Sequence, residues 1–448
     1  MANSGHDILV YDNNENKIKV FNSFDRDTIE SCLFEVGLGD TIVRNKERIK
    51  FTSKYSDTEK FLDEADAVFM CLPTPEKEGG NGETDMSFYF NASEELAKHL
   101  VKRNDGKQDK YVVITNKSTV PIGTAKKIEE FFKKNGVINF GIVSNPEFLV
   151  EGKAMECALK PFRIVVGAWN DMDFEVMRKI YRRFYDSPTS RYIEVNPPEA
   201  EVGKLLANYM LFSRLGATMG VVGRVCEIYG GMKFENLREI LSADERIGTY
   251  GFYNTLYVGG SCLIKDAFSL AHQIEKEGAD ACAVRQLLDT NLFQRDHFYS
   301  RAEKEANFSF KGKVVSLLGV AFKRETNDVR HSGAVDIAKH LIDDGAKSVR
   351  VYDPAAMPMF RAVFDPKKDE RFAVFQYFND TEESLHGSDV CFILTDWPQF
   401  RSLGERIKKI CKPPYLIMDG RRMIQHQYDE LVKDGYNIIA VGSPYLTT

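Results

Sequence analysis

Asp7-Ile-Leu-Val-Tyr-Asp12 is a short apolar run that ends on an acid, and Val349-Arg-Val-Tyr-Asp353 repeats its closing Val-Tyr-Asp near the other end of the chain. Runs of this kind read as strands of a parallel sheet, buried on both faces. An acid at such a strand tip either holds the hydroxyl pair of a ribose or simply closes a turn. The two copies differ in what precedes them. Ahead of Asp353, residues 314–345 read as a full strand and a helix. Ahead of Asp12 stand eleven residues with no Gly-x-Gly-x-x-Gly. A dinucleotide fold places a strand and a glycine turn about 20 residues upstream of that acid. The expectation is that the first copy is short by one strand, one glycine loop and one helix, with Met1 an internal start. Such a domain exposes two strand edges, so it is expected to fold poorly and to bind a dinucleotide weakly.

The bulk numbers bound the rest. A chain of 448 residues suggests two to three domains. Apolar residues make up 43% and charged residues 28%, as in an ordinary globular protein. A net charge of -6 argues against nucleic-acid and membrane-surface partners. No run reads as a membrane span and no signal peptide opens the chain. The eight cysteines form no CxxC pair and no metal-like Cys/His spacing, which points to a reducing, cytoplasmic compartment and to no metal site.

Outward from Asp12, residues 46–51 lead into a helix-like stretch. Residues 67–72 read as a strand stopped by Pro73-Thr-Pro75. Residues 91–101 read as a helix and 111–115 as a buried strand. Ser118-Thr-Val-Pro121 then starts a helix at Ala125, where small hydroxyls suit either a ligand crevice or a plain cap. A strand tip at 142–144 precedes Asn145-Pro-Glu-Phe-Leu-Val-Glu-Gly152, which sets Glu147 and Glu151 on one loop. Residues 163–167 are again strand-like. Alternating strand and helix means a parallel, doubly wound sheet. After Pro197-Pro198 comes one long helix, residues 199–229, with Lys204 and Asn208 on one face. Arg246-Ile-Gly248 ends a shorter helical segment. Tyr257-Val-Gly-Gly-Ser-Cys-Leu-Ile-Lys-Asp266 puts Cys262 behind two glycines, with Lys265 and Asp266 within a turn. A cation there favours the nucleophilic thiolate; the alternative is a small buried hydrophobe. Strands at 314–322, 349–353, 390–394, 416–418 and 438–441 complete a second sheet. The fold class is α/β: two Rossmann-like doubly wound domains joined by a long central helix and a helical middle, with boundaries 1–196, 197–305 and 306–448.

Taken together, in order, these segments resemble the UDP-glucose/GDP-mannose dehydrogenase family over essentially the whole chain. The carriers are Ser118-Thr-Val-Pro121, Asn145 to Gly152, Lys204 with Asn208, Arg246-Ile-Gly248 and Gly259-Gly-Ser-Cys-Leu-Ile-Lys-Asp266. Gly319-Val-Ala-Phe-Lys323, Thr326-Asn-Asp-Val-Arg330 and Asp419-Gly-Arg421 follow. The resemblance implies a four-electron oxidation of a sugar C6 alcohol, with NAD taking a hydride twice. Cys262 would capture the aldehyde as a thiohemiacetal and then carry a thioester. Lys204 and Asp266 would handle protons and the oxyanion with Asn208, and Glu147 would serve in hydrolysis. A nucleotide sugar would meet Phe148, Leu149, Glu151, Lys204, Asn208, Arg246, Tyr253, Gly259, Phe322, Lys323 and Arg421. NAD would meet Asp12, Lys17, Thr74, Ser118, Thr119, Glu151, Lys265 and Arg330. Because the family's Arg246 equivalent reaches across a subunit interface, a homodimer or larger homo-oligomer is implied. The favoured substrate is UDP-glucose, giving UDP-glucuronate. GDP-mannose or another nucleotide sugar, and a non-catalytic nucleotide-sugar-binding homologue, are the alternatives. Besides the glycine loop, the chain departs from the family at Ser31-Cys32, Cys157, Phe162, Ile264 and His331.

Overall fold

A computed structural model describes residues 1–105, 110–185, 187–253 and 255–448. The chain forms two units, Met1–Ala207 with Phe268–Asp280, and Asn208–Ala267 with Ala281–Thr448.

In the first unit, β1 (Ile8–Tyr11) and β2 (Ile49–Thr52) form a parallel pair with Ile8 opposite Ile49. A second sheet has five strands in the order of their sequence: β3 (Ala67–Met70), β4 (Val112–Asn116), β5 (Phe140–Ser144), β6 (Arg163–Gly167) and β7 (Arg191–Val195). Among the described residues β1 and β3 each have one strand neighbour. Alternation along β4 explains the layers, since successive side chains point to opposite faces. Val112 and Ile114 join Leu96, Leu100, Ile128 and Phe132 under the helices Ser87–Asp105 and Thr124–Lys134. Val113 turns the other way, to Val143, Val166 and Met177 of the helix Asp171–Ile180. A third apolar group, Ile18, Phe21, Ile29 and Ile42 with Phe51, covers the small sheet. The late segment of this unit is tied to the early ones: Ser269 Oγ lies 3.0 Å from Thr84 Oγ1, and Gln273 Oε1 accepts the Ile122 N–H at 2.7 Å.

The second unit holds a parallel six-stranded sheet. Its strands are β8 (Val314–Leu318), β9 (Ser348–Tyr352), β10 (Phe375–Tyr377), β11 (Val390–Ile393), β12 (Leu416–Asp419) and β13 (Asn437–Ala440), in the order β10-β9-β8-β11-β12-β13. This is the doubly wound order, with its switch point between β8 and β11. The acid at the tip of β9 holds the turn after the central strand, because Asp353 Oδ2 accepts the N–H groups of Val320 and Ala321 at 2.7 and 3.0 Å. In the first unit the matching Asp12 instead accepts from the Asn14 N–H at 3.0 Å and from Lys17 Nζ at 2.7 Å.

Several sequence expectations change. The stretch 46–51, read only as leading into a helix, also holds most of the strand β2, and the helix Glu59–Glu64 follows it. β7 and β10 went unread because both are edge strands carrying polar residues, Arg191, Glu194 and Gln376. The five-stranded sheet is not parallel throughout, since β5 meets β6 antiparallel through Ser144 and Gly167. The expected single helix is α-helical over Pro197–Ala217, π-helical over Thr218–Gly223 and α-helical again over Arg224–Ile228. The segment Pro197–Ile228 is 32 residues and apolar enough by composition to span a membrane, which the sequence reading excluded. Its polar members Glu201, Lys204 and Asn208 are bonded within the protein rather than turned to lipid.

Candidate active site

In the first unit the loop after β5 is fixed before its acid appears. The Asn145 N–H donates to the Asn116 carbonyl at 2.8 Å, and Asn145 Nδ2 donates to the Val165 carbonyl at 2.7 Å, so one residue bridges β4, β5 and β6. Its Oδ1 accepts from Lys117 Nζ at 3.0 Å and from the Tyr181 hydroxyl at 2.6 Å. Burial pushes the Lys117 ammonium down to about 8. Two residues on, Glu147 Oε1 lies 3.2 Å from Lys204 Nζ, while its Oε2 accepts the Leu149 N–H. The Lys204 side chain is buried and that of Glu147 is 29% exposed, so the carboxylate is open on one side. Phe148 lies under two cations, with its ring centre 3.8 Å from the Arg163 guanidinium and 5.3 Å from Lys204 Nζ.

The helix that carries Lys204 also braces the Ser118 loop. Buried Glu201 accepts the N–H groups of Gly123 and Ala125 at 2.6 and 2.8 Å and the Ser144 hydroxyl at 3.2 Å. It therefore caps the helix Thr124–Lys134, whose own cap is a glycine. Burial raises its carboxyl above the usual range despite these bonds. Ser118 Oγ donates to the Leu72 carbonyl and accepts the Leu72 N–H, at 2.7 and 2.9 Å. Thr74 Oγ1 donates to the Thr119 carbonyl at 2.8 Å. Thus Thr74, Ser118 and Thr119 gather at the carboxyl ends of β3 and β4, where open α/β sheets take ligands.

A carboxylate at a strand tip is the group that suits the ribose part of a dinucleotide. Burial would lift the Asp12 carboxyl, but the Lys17 and Asn14 hydrogen bonds and the Lys17 charge hold it below the usual range, so a carboxylate stands at the β1 tip. The residues before it form a 3-10 turn, Ala2–Ser4, and β1 itself. Glu151 and Leu149 lie exposed on the loop after β5.

In the second unit, Cys262 occupies the turn that opens the helix Leu263–Lys276, and its carbonyl accepts the Asp266 N–H at 2.9 Å. The two preceding glycines are explained by what presses on them. A Cβ on Gly259 would lie 2.4 Å from the His331 carbonyl oxygen, and one on Gly260, where φ is +89°, would lie 2.8 Å from the Phe322 ring. Asp266 is 1% exposed and fully engaged: Asn208 Nδ2 and Lys265 Nζ each donate to it at 2.6 Å. Cys262 itself is exposed.

The expected substrate residues of this unit divide. Arg421 Nε donates to the Leu394 carbonyl at 2.8 Å and its Nη2 to the Phe322 carbonyl at 2.5 Å, which joins the loops after β11 and β8. Burial lowers its guanidinium below the ordinary arginine range. Lys323 lies over the Phe322 ring at 5.7 Å. Arg246 is largely exposed and pairs with Asp244 at 2.6 Å, in the turn after the helix Phe234–Ser242. Tyr253 is exposed and stacks edge-on with Tyr250; residue 254 of the same expected loop lies outside the described residues. Arg330 forks onto Asp328. Lys117, Asn145, Tyr181 and Glu201 were not singled out from the sequence. Only the place of Lys117, directly before Ser118, and of Asn145, opening its motif, gave a signal.

Comparison with known proteins now decides the family. Residues 1–185 match the NAD binding domain of the UDP-glucose/GDP-mannose dehydrogenase family, residues 198–292 its central domain and residues 316–426 its UDP binding domain. The chain belongs to the UDP-glucose/GDP-mannose dehydrogenase family. It is 30% identical over 448 residues to the UDP-glucose 6-dehydrogenase TuaD of Bacillus subtilis, covering 99% of this chain and 89% of that one. It is 31% identical over 451 residues to a UDP-glucose 6-dehydrogenase of Gallus gallus, covering 97% and 87%. The solved UDP-glucose dehydrogenase of Pyrobaculum islandicum superposes with a TM-score of 0.82 at 27% identity, covering 95% of this chain and 91% of that one. As a family member the chain is an NAD-dependent nucleotide-sugar dehydrogenase, and the apolar segment Pro197–Ile228 opens its central domain.

Proposed function

We propose that the chain oxidises the C6 alcohol of UDP-glucose to the carboxylate of UDP-glucuronate, through a covalent intermediate on Cys262. The observation that carries this reading is buried Asp266, one turn after Cys262 and bonded to both Asn208 and Lys265. A buried carboxylate with two donors is a costly arrangement, and polar groups able to handle protons one helical turn after a cysteine support this reading. NAD, when bound, would supply the hydride acceptor, one molecule for each of the two oxidation steps. Cys262 attacks the C6 aldehyde, and the resulting thiohemiacetal becomes a thioester in the second oxidation. Lys204 carries the charge that steadies the developing oxyanion, and Asn208 adds a hydrogen bond. Glu147, salt-bridged to Lys204 and open on one side, takes a proton from the water that releases the acid. Asp12 and Lys17 hold the adenosine ribose, with Thr74, Ser118 and Thr119 lining the crevice. Arg246 completes a neighbouring subunit's site in a homo-oligomer.

NADH formation with UDP-glucose and, separately, GDP-mannose tests this. Two NADH per UDP-glucose are expected, with little from GDP-mannose. Cys262→Ser is expected to abolish turnover while leaving UDP-glucose binding near wild type. A second reading, a binding homologue without turnover, draws on the separate pairing of β1 with β2. Tight UDP-glucose binding without any NADH would select it and discard the catalytic role of Cys262.

A further inference from the structure

Residues 248–260 of the second unit contain no helix or strand among those described, so the backbone leading to Cys262 lacks a ladder of its own. At Val258 one side chain supplies both partners. Asn291 Oδ1 accepts the Val258 N–H at 2.8 Å, and Asn291 Nδ2 donates to the Val258 carbonyl at 3.0 Å. The amide thus stands in for a neighbouring strand's peptide group, four residues before the thiol. Asn291 lies on the buried face of the helix Cys282–Ala306, together with Leu288, Gln294 and Phe298.

Gln294, three residues further along that face, is 3% exposed, and both its Oε1 and Nε2 lack a hydrogen-bond partner. It lines a cavity of about 10 Å³ together with Thr255, Tyr257, Val258 and Asn291. That is room for one water, and a buried amide with two unmet groups is the setting in which a water is held. The opposite wall comes from the irregular stretch of the central segment. Gly216 and Gly220 let it close on the helix: a Cβ on either would lie 2.5 Å from Leu287 or Thr290. The π-helical turn Thr218–Gly223 widens the segment where Met219 and Gly220 face the cavity.

We propose that Asn291 and Gln294 are positioning residues for the Cys262 turn, Asn291 by gripping Val258 directly and Gln294 through one water held in the cavity beside residues 255–258. The role assigned to Cys262 rests on the proposed function, but the geometry of the grip does not. The competing explanation is that Gln294 is only an unsatisfied buried amide. In that case replacing it with an apolar residue of similar shape is neutral or stabilising and leaves the site unchanged.

The test compares Asn291→Ala and Gln294→Met with wild type by thermal melt, by kcat and KM for UDP-glucose, and by the rate of Cys262 alkylation with iodoacetamide, followed by peptide mass. Mapping is needed because Cys32, Cys71 and Cys282 are also exposed. A misplacement of the nucleophile below 1 Å predicts a kcat loss of roughly tenfold or more with KM within about twofold. The alkylation rate at Cys262 is expected to shift by about fivefold or more, with the other three thiols unchanged. Gln294→Met is expected to melt at or above the wild-type temperature while showing these losses. Wild-type kcat and wild-type alkylation in a folded Gln294→Met overturn the role of Gln294, and the same result in Asn291→Ala overturns that of Asn291. If Asn291→Ala does not fold, Asn291→Asp, which keeps the acceptor for the Val258 N–H and loses the donor to its carbonyl, is read by the same measurements for Asn291, and Gln294→Met for Gln294. If wild type does not turn over UDP-glucose, the alkylation rates still decide, because they need no substrate.

Discussion

Lys117 shows how much a single side chain can hide from sequence reading. Lysine is ordinarily a solvated surface residue, so a lysine one place before a motif gives little signal. Here its ammonium donates to Asn145, and burial lowers it from 10.5 to about 8. The native state therefore releases this proton near pH 8, whereas the unfolded chain keeps it until about 10.5. Between those values the unfolded state binds more protons, so stability rises with pH, by up to about 3 kcal/mol from this group. Below pH 8 the cost of burying the charge is constant. Lys117→Met is expected to remove that rise. Denaturation midpoints of variant and wild type, taken below pH 8 and again well above it, should therefore converge as pH increases. Cys262, Lys204, Glu147 and Asn208 were singled out only through the order of motifs that carries the family resemblance. The partners that fix them were not, because a residue such as Tyr181 reaches Asn145 only through the folded sheet.

At the scale of elements, legibility followed burial. Strands covered on both faces, such as β4 and β11, are apolar runs that announce themselves. Edge strands β7 and β10 alternate with charge and polarity and read as loop. Some helix starts carry their own capping residue, as at Asn170 and Ser332, whose side chains accept the Asp173 and Ala334 N–H groups. The helix Thr124–Lys134 is different, since its cap is Glu201, borrowed from an element far along the chain. Glu201→Gln keeps the size but loses the charge and one acceptor at a helix N-terminus. A loss of about 1–3 kcal/mol is expected, read as a lowered urea midpoint with an unchanged slope. An unchanged midpoint would mean that the carboxylate contributes nothing beyond what an amide supplies. The π-helical turn was likewise invisible, because no residue type marks the insertion of one extra residue into a helix. It lies beside two glycines, Gly216 and Gly220, that approach Leu287 and Thr290 closely.

For the whole molecule, the two copies of Val-Tyr-Asp fall at the tips of β1 and β9, where Asp353 bonds a turn and Asp12 bonds Lys17. How the chain distributes itself between units was beyond any local reading. The first unit ends at Ala207, yet takes Phe268–Asp280 from later in the chain. Those residues tie down Thr84 and Ile122 through Ser269 and Gln273. A fragment covering residues 1–207 is expected to be cut by protease near residues 76–85 and 119–123 much faster than the intact chain, and equal rates would show that the late segment adds no protection. On the ribosome, this layout imposes an order. The first unit cannot finish folding when its own 207 residues have emerged; it must wait until the chain reaches Asp280. At about 5–20 residues per second that is a delay of roughly 4–15 s, during which an open Rossmann-like half is exposed to chaperones and proteases.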